Sequence, residues 1–189
     1  MRRPTRTAVA TGRRGRLAAL VTVSGLGLLP AAGCASADDD LTAYQSDYAN
    51  HRPLAVAGYP SAGSLEAVQK LLWRLADGNT AALAELASSD GTDAEHRATA
   101  GHWIDAYRPA AGQEVTADFH DDPTARQTVV LYFHATRQRK QISLRLDGRA
   151  GADGWRVLMR ESDPAEATAE PTWAPETPGG GRPTGGPAF

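Results

Sequence analysis

The spacing of apolar residues changes once along this chain, near Pro109, and that change limits the possible folds more than any other feature. Before it, apolar residues recur at helical spacing. After it, apolar and polar residues alternate, which is typical of strands buried on one face. Helices that precede a run of antiparallel strands predict an α+β domain with the helices packed on one face of the sheet.

Three N-terminal helices are predicted from the apolar stripes and the capping signals. The first follows Ser64, a favourable N-cap, and ends at Gly78. A short second helix follows it. The third opens with Thr92 and Glu95 in a capping-box arrangement and ends just before Pro109. The apolar stripe of the first helix is formed by Leu65, Val68, Leu71, Leu72 and Leu75.

Two positions on these helices indicate contacts with other parts of the chain. Trp73 lies opposite the apolar stripe of the first helix, so we expect another segment to cover it, and residues 54–57 are the nearest candidate. The alternative is an exposed docking residue. Gly101, in the middle of the third helix, costs about 1 kcal/mol relative to alanine, which indicates close packing there.

Four strands are predicted after the helices, and they form a curved antiparallel sheet joined by hairpins. In the register that we assign, Asp118, His120, Tyr132 and His134 face away from the helices. The strands are at residues 114–120, 127–135, 141–147 and from 155 onwards. Their inward positions are Val115, Ala117, Phe119, Val129, Leu131, Phe133, Ile142, Leu144, Leu146, Trp155, Val157 and Met159.

The N-terminal segment has the layout of an export signal. Six arginines and no acid precede the apolar residues 17–29, a run shorter than the roughly 20 residues of a transmembrane helix. Residues 29–34, Leu-Pro-Ala-Ala-Gly-Cys, resemble the lipobox of bacterial lipoproteins and contain the only cysteine of the chain. The resemblance implies a diacylglycerol thioether on Cys34, cleavage after Gly33 and a stable anchor on the extracytoplasmic face of the cell membrane.

The alternative is an ordinary secretory signal with Cys34 as a buried thiol. Lipidation accounts better for a single cysteine, because an unpaired thiol in an oxidising compartment would have no partner. Residues 13–17, Arg-Arg-Gly-Arg-Leu, resemble a twin-arginine export motif, so that route and the general secretory route both stay open.

Composition divides the chain into a signal peptide (1–33), a lipid-anchored flexible tether (34–62), an α+β domain (63–161) and a disordered Pro/Gly-rich tail (162–189). Trp173 is interpreted as a chance aromatic residue in that tail, with a docking motif as the alternative.

After cleavage, 14 of the 20 basic residues remain against 22 acidic residues, because six arginines lie in the signal peptide that is cleaved off. The resulting charge of about −8 excludes nucleic acid as a partner, since phosphate binding needs a positive field.

Two stretches, residues 72–86 (LWRLADGNTAALAEL) and 153–157 (DGWRV), resemble the opening helices and the last strand of the nuclear-transport-factor-2-like (cystatin-like) superfamily. The resemblance extends over about residues 62–161. It implies a cone-shaped half-barrel with an apolar pocket between sheet and helices. That superfamily contains isomerases, dehydratases and polyketide cyclases as well as non-enzymatic binding modules. The residues expected to line the pocket are His96, Trp103, Tyr107, Phe119, Phe133 and Trp155.

No catalytic residue, cofactor or metal site is predicted. The inward strand positions carry no titratable group, and a general acid or base must lie within hydrogen-bond reach of its substrate. His96, on the inner stripe of the third helix, is interpreted as a histidine at the edge of the core, and the alternative is a pocket base. The basic cluster Arg137, Arg139 and Lys140 is interpreted as a solvated hairpin tip.

These features predict a membrane-anchored, non-enzymatic module that binds a partner protein or a small apolar ligand, or that forms a homodimer. The alternative is an isomerase- or cyclase-like enzyme that uses His96.

Overall fold

Helices precede strands along most of the chain, but an additional helix and an additional strand come first. The computed structural model describes residues 37–121, 124–148, 154–171 and 173–180. The predicted signal peptide, the lipobox and Cys34 lie outside these residues, as do residues 181–189. The elements are α1 (Ala37–Asn50), β1 (Ala55–Gly58), α2 (Ala62–Asp77), α3 (Thr80–Ala84), α4 (Asp93–Ala111), β2 (Val115–His120), β3 (Arg126–Phe133), β4 (Gln138–Leu146), β5 (Trp155–Val157) and α5 (Pro164–Ala167).

The described strands form one open sheet of five strands in the order β1-β2-β3-β4-β5. β1 runs parallel to β2, and the other three pairs are antiparallel. The α+β class is therefore confirmed. The described residues contain five helices rather than three, and a mixed sheet rather than four antiparallel strands. β1 was not predicted, because its segment of four small residues, Ala-Val-Ala-Gly, is too short to be distinguished from a linker.

The predicted strand register is confirmed. The inward residues of β2 to β5 belong to one buried cluster with the helices, apart from Leu146, which is 37% exposed at the end of β4. Asp118 and Tyr132 face the opposite side of the sheet, where the chain near its C-terminus binds them. The register could be predicted because a shift of one residue would turn Arg145 and Arg156 towards the core, where an unpaired charge is costly.

The helix starts follow capping chemistry, with one shift. Ser61, not Ser64, is the N-cap of α2, and its hydroxyl accepts a hydrogen bond of 3.1 Å from the N–H of Ser64. Gly78 ends α2 in a left-handed conformation with φ of 71°, as predicted. The capping box of Thr92 and Glu95 is present at the start of α4.

The third predicted helix, α4, continues through Pro109 to Ala111. A proline inside a helix removes the hydrogen bond to the carbonyl four residues earlier, here that of Asp105. Asp105 is exposed, so water can replace the lost bond. The close packing expected at Gly101 is absent, because a Cβ atom at this position would meet no atom within 4 Å.

Trp73 is covered by α1, which lies in the segment predicted as a flexible tether. The indole ring is 4% exposed, and its centroid lies 5.3 Å from the ring of Tyr44 and 5.5 Å from that of His51. An ion pair of 2.7 Å between Arg74 and Asp47 adds a second contact between α2 and α1. Trp73 is thus covered, as expected, but by α1 and His51 rather than mainly by residues 54–57, and the exposed docking role was wrong.

The described residues from Leu158 to Gly180, here called the C-terminal arm, are folded onto the domain, so the prediction of a disordered tail was wrong for residues 162–171 and 173–180. The arm contains α5 and then crosses the outer face of the sheet. The hydroxyl of Tyr132 donates to the carbonyl of Pro175 at 2.9 Å, and Asp118 accepts the N–H of Gly179 at 2.8 Å. A Pro/Gly-rich segment has no core of its own, but it can bury apolar atoms on a sheet that already exists.

In the part of the chain that the structure describes, no helix is both long and apolar enough to cross a membrane.

Candidate functional site

The aromatic residues predicted to line a pocket pack in the space between the helices and the sheet, and one of them, Trp103, also lines the cleft described below. Each is at most 6% exposed and belongs to the main buried cluster. Tyr107 of α4 stacks on Phe133 of β3 with ring centroids 4.9 Å apart. Trp155 lies so close to Gly63 that a Cβ atom there would approach its ring to 2.5 Å. The residues in this cluster are Trp103, Tyr107, Phe119, Phe133 and Trp155.

Tyr107 is held as a neutral hydrogen-bond donor. Its hydroxyl donates to the carbonyl of Ala167 in α5 at 3.0 Å. Burial, with smaller contributions from the charges of Glu161 and Glu170, raises the pKa of Tyr107 to about 12. This side chain therefore fixes the C-terminal arm to α4 and is unsuited to act as a base at neutral pH.

His96 anchors the loop before α4. It is 8% exposed, and its Nε2 atom lies 2.8 Å from the carbonyl oxygen of Asp90. A carbonyl only accepts hydrogen bonds, so this ring nitrogen carries the proton. Gly91, with φ of 101°, lets the loop pass close to the ring, since a Cβ atom there would lie 3.0 Å from Nε2. The arrangement matches a structural histidine at the edge of the core.

His134 and His120 also form local contacts. His134 bonds Thr116 at 2.8 Å, and the ring of His120 lies 5.2 Å from that of Trp173. Within the described ranges, no group of three or more His, Cys, Asp or Glu residues is placed to hold a metal ion.

A cleft of about 330 Å³ lies between β4 and the C-terminal arm. It forms because β5 pairs only with residues 144–146 of the longer β4. Beyond that pairing, the N–H of Leu158 donates to the carbonyl of Ser143 at 2.9 Å, and the arm then leaves the edge of the sheet. The lining consists of Trp103, Lys140, Gln141, Ile142, Ser143, Leu158, Glu161, Glu166, Ala169, Glu170, Pro171 and Trp173.

Lys140 is the buried cation of this cleft. It is 3% exposed, its ammonium lies 5.2 Å from the centre of the Trp103 ring, and it pairs with the Glu161 carboxylate. The same carboxylate accepts the indole N–H of Trp103 at 2.7 Å. Burial lowers the pKa of Lys140, because the ammonium loses water, while Glu161 opposes this shift. The cleft thus combines an aromatic face, a carboxylate and a cation.

Two residues of the predicted solvated hairpin tip, Arg139 and Lys140, are therefore engaged in contacts with the arm. Besides the burial of Lys140, Arg139 binds the arm through Glu170 at 2.8 Å and through the carbonyl of Pro175 at 3.1 Å. Sequence reasoning missed this cleft because it assigned the arm to an unfolded tail. One signal was present: Lys140 occupies an inward position of the alternation that continues with Ile142 and Leu144.

Acidic side chains dominate the lining of the cleft. Of its three glutamates, Glu161 pairs with Lys140 and Glu170 pairs with Arg139 of β4. In the part of the chain described, no cation pairs with Glu166. The cleft is thus suited to bind a group of positive charge, and it offers no nucleophile paired with a base.

Comparison of the chain with protein-family models, with curated proteins and with solved structures gave no match.

Proposed function

We propose that this chain is a bacterial lipoprotein, anchored through Cys34 on the extracytoplasmic face of the cell membrane, whose domain binds a partner protein without catalysing a reaction. Residues 29–34 and the charged and apolar segments before them support the anchor. The cleft beside β4 carries the binding part of the proposal, because it is open, polar and built on a sheet edge.

The filled interior favours a protein partner over a small apolar ligand. In the nuclear-transport-factor-2-like half-barrel that the sequence resembles, a ligand would enter between the sheet and the helices. Here that space holds Trp103, Tyr107 and Phe133, each at most 1% exposed. A ligand would have to displace this packing, whereas a protein segment can bind the cleft without doing so.

The enzyme alternative would use His96, but among the described residues this side chain and Tyr107 are both engaged in the fold. His96 directs its protonated ring nitrogen to the carbonyl of Asp90, and Tyr107 directs its hydroxyl to that of Ala167. Neither atom is directed at an open space in which a substrate could react.

The anchor is tested by replacing Cys34 with alanine in the native host. The wild-type protein should incorporate labelled fatty acid and sediment with membranes, because the thioether carries two acyl chains. The Cys34→Ala variant should lose the label and appear in the soluble fraction. A variant that stays labelled would disprove the lipobox interpretation.

The binding role is tested by cross-linking in whole cells. Each strain carries the full chain with one photoreactive residue at a single exposed position, and several positions are compared. A discrete, saturable complex that depends on one surface is expected. Monomeric protein at every position would contradict the binding role, and a complex of two copies would replace the partner with a homodimer.

A further inference from the structure

β4 has an open hydrogen-bonding edge inside the cleft. Its N–H and C=O groups alternate in direction along the strand. The N–H of Leu146 bonds Ala125 on the β3 side, whereas the carbonyl of Ser143 bonds Leu158 on the opposite side. Gln141 and Arg139, which lie two and four residues before Ser143, therefore direct their main-chain groups away from β3. Among the described residues, no strand pairs with this side of β4 between residues 138 and 143.

Open sheet edges attract additional strands, and proteins usually cover them. Here the C-terminal arm passes the edge without pairing with it. After Leu158 the arm contacts β4 through side chains at Arg139, Lys140 and Gln141, while α5 and the residues that follow it line the 330 Å³ cleft beside the strand. An extended peptide that enters this space would find free main-chain groups on β4 at the spacing of a neighbouring strand.

The charge of the cleft selects the kind of peptide. Glu166 and Glu170 line the side opposite β4, and among the described residues Glu170 pairs with Arg139 in a solvent-accessible ion pair of low strength. A lysine or arginine side chain on the peptide would meet both carboxylates. An acidic peptide would be repelled by them and by the net negative charge of the mature chain.

We propose that the edge of β4 in this cleft binds an extended, lysine- or arginine-bearing segment of the partner protein, which adds to the sheet as a further strand. This inference rests on the proposed binding function and specifies its surface and the chemistry of its partner. Main-chain hydrogen bonds to Arg139 and Gln141 supply affinity, and the carboxylates supply selectivity for positive charge.

The test uses the full chain in detergent and three synthetic peptides. The probe is acetyl-Val-Lys-Val-Lys-Val-Lys-Val-amide. One control replaces its lysines with glutamate, and the other keeps the lysines but carries N-methyl groups on the main-chain amides. Binding is measured by titrating each peptide into the protein. Hydrogen exchange of the main-chain amides of residues 138–143 is measured by mass spectrometry, with fragmentation that resolves single residues.

The lysine peptide should bind and slow exchange in residues 138–143, while both control peptides should fail to do so. The double variant Glu166→Gln with Glu170→Gln should bind about tenfold more weakly, since two exposed ion pairs are removed. The matched control, Glu85→Gln with Glu176→Gln, removes the same charge at exposed positions outside the cleft and should bind as the wild type does.

Equal binding of the N-methylated peptide would overturn the inference, because the cleft would then take a cation without adding a strand. Unchanged exchange in residues 138–143, or equal weakening in both double variants, would overturn it as well. Cross-linking in cells separates this failure from that of the proposed function. A complex that forms through another surface, such as the exposed Tyr59, would refute the cleft assignment and leave the binding role in place.

Discussion

At the scale of single residues, ionisable side chains in this domain hold segments together. Lys140 and Glu161 connect β4 to the C-terminal arm, and His96 connects α4 to the preceding loop. A buried pair such as Lys140 and Glu161 is costly to break, because either partner alone would remain as a poorly solvated charge. His96, the candidate pocket base of the sequence analysis, therefore serves the fold.

Tyr107 gives this domain a pH dependence that can be measured. Its pKa of about 12 in the folded state exceeds the ordinary value of 10.0, so folding favours the protonated phenol. The corresponding stability is fully present below pH 10 and is lost as the pH rises through 12. We expect a loss of up to about 3 kcal/mol across this window, measured by urea unfolding at a series of pH values.

The matched variant for this measurement is Tyr107→Phe. It should be about 1 kcal/mol less stable at neutral pH, since the hydrogen bond to Ala167 is gone. Above pH 10 its stability should fall less steeply than that of the wild type, because Tyr44 and Tyr132 titrate in both proteins. Parallel curves for the two proteins would show that Tyr107 titrates normally.

At the scale of elements, α1 depends on a partner rather than on its own sequence. Its mean hydropathy is low and its apolar residues are few, so the chain from residue 37 onwards resembles a linker until α2 is beside it. Tyr44, Tyr48 and His51 then enclose Trp73. Because the described fold begins three residues after Cys34, most of the segment expected to act as a tether belongs to the folded domain.

Replacing Trp73 with alanine should detach α1 selectively. The indole is the main contact between α2 and the rings of α1, and its loss should cost about 3–4 kcal/mol. Hydrogen exchange should become fast in residues 42–50 and stay slow in β3. Tyr48→Ala is the control, since that ring is 47% exposed and contacts Trp73 only by its edge. Equal exchange in α1 of the wild type and Trp73→Ala would mean that the helix forms without this contact.

The elements that the sequence predicted are those with a strong internal pattern. The alternation in β3 and β4 fixed which side chains face the helices, and the capping box of Thr92 and Glu95 fixed the start of α4. α1, β1 and the C-terminal arm carry no such pattern, because each acquires its structure from a surface that other elements form. The cleft was missed for the same reason, since Lys140 and Glu161 meet only after the arm has folded.

At the scale of the whole molecule, the sheet is covered on both faces, and the arm provides the outer cover. The helices bury the inner face, while Ala174 and Trp173 pack with Val130 and Tyr132 on the outer face. Because the arm covers Val130 and Tyr132 of β3 and binds Asp118 of β2, the centre of the sheet depends on a segment distant in sequence. The arm should therefore unfold together with the sheet rather than separately.

Truncation after Glu170 tests this cooperation, because it removes the part of the arm that crosses the outer face. The truncated chain loses the hydrogen bonds of Pro175 to Tyr132 and of Gly179 to Asp118, and it exposes Val130. We expect the free energy of unfolding to fall by about 3 kcal/mol in a single transition, measured by urea unfolding with fluorescence and circular dichroism.

Truncation after Gly180 is the control, since it keeps every contact named here. Equal stability of the two truncated chains would mean that the arm contributes nothing to the fold. Separate transitions by the two methods would mean that the arm and the sheet fold independently.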